Sequence, residues 1–313
     1  MVFNPMIKRQ IILILLAFLL CGVVVAQAQM MSLTGAGGKF KASGGGGGPP
    51  PPTYTGPGDI VSGATFWGGL RCYAAANASV NAIRIRRASD NTETDVALDA
   101  SCDLTDVSGT FCAATTCYVK TLYDQSGGAG SDATQTTAGQ QPQLVFSCIG
   151  TKPCMRFVAA NTTFVASNNP GAYVNPVSLS ATMKCNGSAA TLASVDVGLN
   201  LYCAGGDAIS GDNGDITVAA TDNVWHAVQY VLQTSPTNSN LSADGTTTTN
   251  PVSFGAFLND LHFGVFADGV SGPMDGDATE LGAWSAAFSG GNIAAICQNQ
   301  QAYYGSGNFG SSC

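Results

Sequence analysis

Few side chains in this sequence cluster in a way that could do chemistry. The most distinctive run is Tyr123-Asp124-Gln125-Ser126-Gly127, where a phenol, a carboxylate and an amide could together hold a polar ligand. The same residues also spell the end of a strand and an Asp-initiated turn, with Asp124 accepting from amides downstream, and this second reading is preferred. Asp275, Asp277 and Glu280 could form a calcium patch, but acids at this spacing more commonly line the solvent edge of a strand. His226 and His262 are the two imidazoles available and no Cys-x-x-Cys occurs, so a zinc site has little to draw on. His226, beside Trp225 at a strand start, reads as a half-buried strand residue. Trp67, Trp225 and Trp284 could include a sugar-stacking platform, although core packing accounts for most tryptophans in sandwiches. Nothing points to an organic cofactor.

The elements that must position such groups are strands. The 313 residues are 45% hydrophobic and only 10% charged, with 39 glycines, a composition that excludes disorder and helical arrays. A net charge of -8, with no basic run beyond Arg84, Arg86 and Arg87, argues against nucleic acid as a partner. Short apolar runs at a two-residue period begin near residue 59 and are punctuated by Gly, Asn and Asp, predicting a single all-β sandwich or barrel. Strands are expected at 80–86, 118–123, 143–147, 155–158, 199–204, 216–220, 225–232, 261–266 and 278–287. In the first, Ile83 and Ile85 should face the core while Arg84 and Arg86 face solvent. Asp244-Gly245 marks a tight hairpin, and one short helix is expected over 291–304, between Ser289 and Gly305.

The amino-terminal region reads as an address followed by a tether. Lys8 and Arg9 precede an apolar run from Ile11 to Val25 and then Ala26-Gln27-Ala28, predicting a signal peptide over 1–28 and a secreted, periplasmic or cell-surface product. The run is short for a bilayer span, so no membrane span is expected in the mature chain. Residues 29–58, with Gly44 to Gly48 followed by Pro49 to Pro52, predict a linker, leaving 59–313 as the domain. Eleven cysteines become ten once Cys21 leaves with the signal peptide, and in an exported chain ten read as up to five disulfides. Short separations favour Cys112 with Cys117 and Cys148 with Cys154, followed by Cys185 with Cys203, Cys72 with Cys102 and Cys297 with Cys313.

The run Phe111-Cys112-Ala113-Ala114-Thr115-Thr116-Cys117, with Leu122-Tyr123-Asp124-Gln125-Ser126-Gly127 after it, resembles the catalytic domain of secreted α-L-arabinofuranosidase B enzymes. The resemblance begins at Gly58-Asp59-Ile60 and passes through Ile85-Arg86-Arg87-Ala88-Ser89-Asp90 and Asp132-Ala133-Thr134-Gln135. It weakens after about Phe164 and resumes at Gly264-Val265-Phe266-Ala267-Asp268, while 224–245 has a broader laminin-G or lectin-like character.

This resemblance implies a concanavalin-like jelly-roll sandwich. It also implies hydrolysis of terminal α-L-arabinofuranosyl groups of arabinose-containing polysaccharide with retention, by two carboxyls ~5 Å apart. Asp268 occupies the family's acid/base position, although Asp268-Gly269 is also ordinary turn chemistry. The family's nucleophile is a Glu followed by Asn at the end of the strand preceding the Trp225 region, and no Glu stands there. Ungapped counting lands on Gly205, a deletion brings Asp212-Asn213 into register, and Asp207 lies nearer the strand end. The family's adjacent Cys-Cys pair is absent too, Cys185 and Cys203 each being single. Two functions from different classes follow. One is a retaining arabinofuranosidase with Asp268 as acid/base and Asp212 or Asp207 as nucleophile. The other is a noncatalytic glycan-binding or surface-adhesion module that has lost the carboxylate pair.

Overall fold

Alternating apolar and hydroxyl side chains set the centre of the molecule. In the computed structural model, residues 54–128, 132–168, 176–187, 190–194, 200–211, 216–233, 239–251, 260–265, 269 and 271–313 are described. All of them fall in a compact unit spanning 51–313; the calls on residues 1–28, and on 29–53 of the expected linker, lie outside the described residues.

The hydrogen-bonded strands run antiparallel and form a β-sandwich. One layer is built on β9 (Val177–Cys185), flanked by β14 (Trp225–Leu232) and β18 (Gly276–Trp284). It continues through β15 (Ser239–Ala243) and β16 (Thr246–Asn250) on one side. On the other side lie β1 (Phe66–Gly69) and β7 (Lys152–Phe157). The second layer runs from β3 (Glu93–Ala97) through β2 (Asn81–Arg87), β4 (Cys117–Leu122) and β5 (Ala133–Thr134) to β8 (Val165–Asn168). It continues through β17 (Asp260–Phe263), β10 (Ala190–Ser194), β11 (Asn200–Cys203), β12 (Ala208–Gly211) and β13 (Ile216–Ala219). The hairpin of β6 (Gln143–Ile149) with β7 ties the layers together, and β13 packs beside β15 and β16.

The central strand β9 alternates Val, Leu, Ala and Met with Ser, Ser and Thr, yet almost all of it is buried on both faces. Its apolar side chains enter the core. Its hydroxyls face a helix, α2 (Gly290–Tyr304), whose Gln300 donates to Ser180 Oγ at 3.3 Å and to Glu280 Oε1 at 2.9 Å. Ser289 caps that helix by accepting from Asn292 N at 3.1 Å, and Gly305 ends it at φ 86°, as the flanking residues predict. Trp67, Trp225 and Trp284 are all buried, so none offers a sugar platform. Five disulfides join Cys72–Cys102, Cys112–Cys117, Cys148–Cys154, Cys185–Cys203 and Cys297–Cys313, the pairs that the spacing suggests.

Two features depart from the sequence pattern. Residues 54–58, inside the expected linker, are packed on the sandwich. A one-turn helix, α1 (Pro57–Ile60), begins within them, and Gly58 N donates to Tyr73 O at 2.6 Å. A Cβ on Gly56 or Gly58 would meet Tyr73 at 2.3 or 2.5 Å, so glycine is required here for close approach. The second departure is Arg86, which does not face solvent. It keeps the face of β2 opposite Ile83 and Ile85, but Tyr118 and the 138–141 segment cover it and leave it 8% exposed. No helix among the described residues is long and apolar enough to cross a membrane.

Candidate functional site

Two of the residues expected to do chemistry follow strands of the second layer along the chain, Asp268 after β17 and Asp207 after β11. Gly264 follows β17, and its φ of 102° together with a would-be Cβ contact of 2.4 Å to Phe157 admits only glycine. Its N–H donates to Leu192 O and its carbonyl accepts from Met274 N, both at 2.7 Å, while Thr191 N donates to Gly272 O at 2.8 Å. These bonds close the base of the loop 264–274 against β10. Asp268 belongs to that loop and lies outside the described residues, and so does Asp212.

Asp207 is described. It ends the β11–β12 turn, in which Gly205, Gly206 and Asp207 have φ of 76°, 68° and 62° in succession. Asp tolerates the left-handed region better than most residues, and the turn is closed by Ala204 N to Ala208 O at 2.9 Å and Ala220 N to Asp207 O at 2.8 Å. The exposed carboxylate accepts from Asp222 N at 2.8 Å through Oδ1. Cys203, which ends β11, pairs in register with Ala190 at the start of β10, placing the Asp207 turn and Gly264 at the same end of the second layer. Gly211, which precedes Asp212, closes the opposite end of β12. The Cys185–Cys203 disulfide joins the layers at the Asp207 end, with Cys185 opposite Gly276 where the chain returns from the 264–274 loop.

Beside Asp207 lies a cleft of about 170 Å³ that also exposes His226, Asp244 and Gly310. His226 Nδ1 is 2.7 Å from Asp244 Oδ2 and its Nε2 is 2.9 Å from Thr221 O, so both nitrogens face acceptors, an arrangement that favours the imidazolium. Burial opposes this charge, but the hydrogen bonds to the carboxylate and the carbonyl outweigh it and hold the imidazole above its usual range. With no free nitrogen, His226 fastens β14 to the Asp244-Gly245 hairpin, a role that exceeds the half-buried strand residue read from sequence. Asp222 carries no signal in the sequence, and Asp244 is legible there only as part of a hairpin turn. Asp-Gly after Ala243 signals the turn, but no local signal pairs it with His226, 18 residues away.

The other motifs resolve into supports. Asp124 Oδ1 accepts from Trp67 N and Ser126 N, both at 2.9 Å, and the buried Gln125 bridges Tyr73 N and Gly69 O. This is the turn reading of the Tyr123–Gly127 run. Asp277 is held by Arg156 and Lys184, each at 2.8 Å, while Glu280 is held by Arg71 at 2.6 Å, so neither carboxylate joins Asp275 in a shared cation site. The one cluster with metal-ligand geometry among the described residues, Cys148, Cys154 and Asp277, has its sulfurs tied in a disulfide.

Residues 70–193 match the family model described as alpha-L-arabinofuranosidase B, catalytic, which covers less than half of the chain. No curated protein matches the sequence. Among solved structures, a GH54 α-L-arabinofuranosidase soaked with a cyclic sulfate inhibitor superposes with a TM-score of 0.61 at 15% identity, covering 78% of this chain and 64% of the other. A mutant of GH54 α-L-arabinofuranosidase soaked with 4-nitrophenyl α-L-arabinofuranoside gives a TM-score of 0.61 at 17% identity with the same coverages. An arabinofuranosidase complexed with arabinofuranosyl-α-1,2-xylobiose gives 0.60 at 17% identity, again covering 78% and 64%. At these identities the likeness is one of fold, and the chain spans 64% of the length of those structures.

Proposed function

We propose that this chain is an exported arabinofuranosidase-like protein that removes terminal α-L-arabinofuranosyl groups from arabinose-containing polysaccharide with retention of configuration. The observation that carries the reading is the family match over 70–193, on a sandwich whose relatives in fold are arabinofuranosidases. Asp268 is the acid/base in this reading. Asp207 is the nucleophile in preference to Asp212, because its turn and the base of the Asp268 loop leave the second layer at the same end, whereas β12 carries the chain to the other end before Asp212. One Asp207 oxygen attacks the anomeric carbon as Asp268 protonates the departing glycosidic oxygen. Asp268 then takes a proton from the water that releases arabinose from the ester.

A second reading, a noncatalytic glycan-binding module, is favoured by the work Asp207 already does as an acceptor for Asp222 N. Release of 4-nitrophenol from 4-nitrophenyl α-L-arabinofuranoside by the oxidised protein separates the two. Under the hydrolase reading, Asp268→Asn and Asp207→Asn each lower kcat/KM by about 10²- to 10⁴-fold, while Asp212→Asn stays within a few-fold of wild type. A folded, disulfide-bonded wild type that releases no 4-nitrophenol excludes hydrolysis of simple arabinofuranosides and leaves the binding module.

A further inference from the structure

We propose that the pocket formed by Arg86, Tyr118, Gln141, Gln143, Arg156 and Asn161 binds the carboxylate of a uronate residue in an acidic polysaccharide. The pocket encloses about 470 Å³, within the ordinary size range of small-ligand sites. Its distinguishing feature is Arg86. The guanidinium is nearly buried, yet every acceptor it meets is neutral: Gln141 Oε1 at 2.7 Å, Asn91 Oδ1 at 2.8 Å, and the carbonyls of Ala138 at 3.1 Å and Arg87 at 3.4 Å. Its Cζ lies 5.1 Å from the centre of the Tyr118 ring. Among the described residues no carboxylate pairs with it. A buried cation without an anion is costly, and a pocket opening beside one is a place where an anion from solution gains free energy.

The surroundings add to the excess of positive charge. Arg156 borders the same pocket with its side chain 42% exposed, and it shares its one partner, Asp277, with Lys184. Arg156 and Lys184 therefore share one carboxylate, and Arg86 has none among the described residues. Asp277 engages Arg156 through Nε and Nη2, so Nη1 is the Arg156 donor that a sugar carboxylate would meet beside the Arg86 charge, and the amides of Gln143 and Asn161 can serve the hydroxyls of the same sugar. The pocket also adjoins the site described above. Thr163 lines it, and the Thr163 carbonyl lies 2.8 Å from where a Cβ on Gly264 would stand, at the base of the 264–274 loop. The inference rests on the glycan-directed reading but not on hydrolysis.

Titration calorimetry on the oxidised full chain tests it, using trimers of galacturonate and glucuronate-substituted xylotriose, each beside its methyl ester, with sodium acetate and sodium sulfate as simple anions. The expected result is binding of at least one acid at least tenfold tighter than its ester, weakened by added salt, and weakened about tenfold by Arg156→Gln. Lys184 still holds Asp277 in that variant, so the fold survives, whereas Arg86→Gln, the second substitution, removes hydrogen bonds to Gln141, Asn91 and Ala138 and costs stability. Equal affinity for acid and ester overturns the proposal, as does acetate or sulfate binding as tightly as the acids, or an Arg156→Gln protein that binds like wild type. Acid binding in a protein that leaves 4-nitrophenyl arabinofuranoside intact removes the hydrolase reading and supports this one. Turnover without preference for acid does the reverse.

Discussion

Glu280 and Asp207 are carboxylates at two ends of the same economy of hydrogen bonds. Glu280 is fully buried and accepts from Arg71 Nε at 2.6 Å and Nη2 at 3.0 Å, Gln300 Nε2 at 2.9 Å, Tyr304 OH at 2.8 Å and Thr182 Oγ1 at 3.3 Å. Burial and the nearby carboxylate both hold the Tyr304 phenol well above its usual range, so it remains a donor. Asp207 is exposed, sits on left-handed backbone, and accepts one amide hydrogen bond. A ligand has no room at the first, while at the second the hydrogen bond to Asp222 N uses Oδ1 alone among the described residues. The Glu280 carboxylate is saturated and dry, whereas that of Asp207 stands exposed on a glycine-rich turn at a strand end.

Breaking the saturated region gives the largest expected effect. Glu280→Ala strands the Arg71 guanidinium inside the layer and should cost about 3 to 5 kcal/mol, read as a lowered urea midpoint. Replacing both partners, Arg71→Met with Glu280→Leu, should cost clearly less than the sum of the single changes, since neither charge is then left alone. Next comes the staple at the open region. Cys185→Ser with Cys203→Ser opens a disulfide whose cysteines are 18 residues apart, with an expected loss of about 3 kcal/mol. Because that bridge joins the layers beside Asp207, the same variant should show faster amide exchange in β11 than in β18.

Between these extremes lies His226. Its folded pKa is raised, so the imidazolium–Asp244 pair contributes fully below the unfolded value of about 6.5 and its contribution fades as pH rises through the folded value. Wild type should therefore lose on the order of 1 kcal/mol more than His226→Gln between pH 6 and pH 9. Parallel stability profiles for the two proteins would show that the pair does not set the pH response.

The sequence disclosed the strands that obey a simple rule and concealed those that do not. Trp225–Leu232, the Asp244-Gly245 hairpin and the capped helix at 290–304 were legible because apolar alternation, a turn dipeptide, and a Ser–Gly bracket each act locally. The central strand Val177–Cys185 was not, although it alternates. Its hydroxyl face is buried against Gln300 and Ala286 O, and nothing in Ser-Leu-Ser-Ala-Thr announces a helix delivered from more than 100 residues later. Alternation places Arg86 correctly on the face away from the core, but nothing local announces that Tyr118 and the 138–141 segment cover that face. The candidate site was legible only as carboxylates near strand ends. Choosing between Asp207 and Asp212 needed the register of β10, β11 and β12, which is set by contacts between strands.

The smallest expected effect on stability sharpens the comparison most. Asp207→Asn keeps an oxygen that can accept from Asp222 N, and asparagine also tolerates the left-handed region, so its turn should be retained at a cost of about 0.5 kcal/mol or less. Asp207→Ala loses both the acceptor and the tolerance for positive φ, and about 1 to 2 kcal/mol is expected. If Asp207 is only a cap, binding and turnover should follow this stability order, with the Asn protein close to wild type. If it is the nucleophile, the Asn and Ala proteins should be equally inactive toward 4-nitrophenyl α-L-arabinofuranoside despite their different melting points, because the amide preserves the turn but cannot form the ester with the anomeric carbon. Agreement between the stability and activity orders would thus place Asp207 with Glu280 among the residues that build the fold, and their separation would place it in the chemistry.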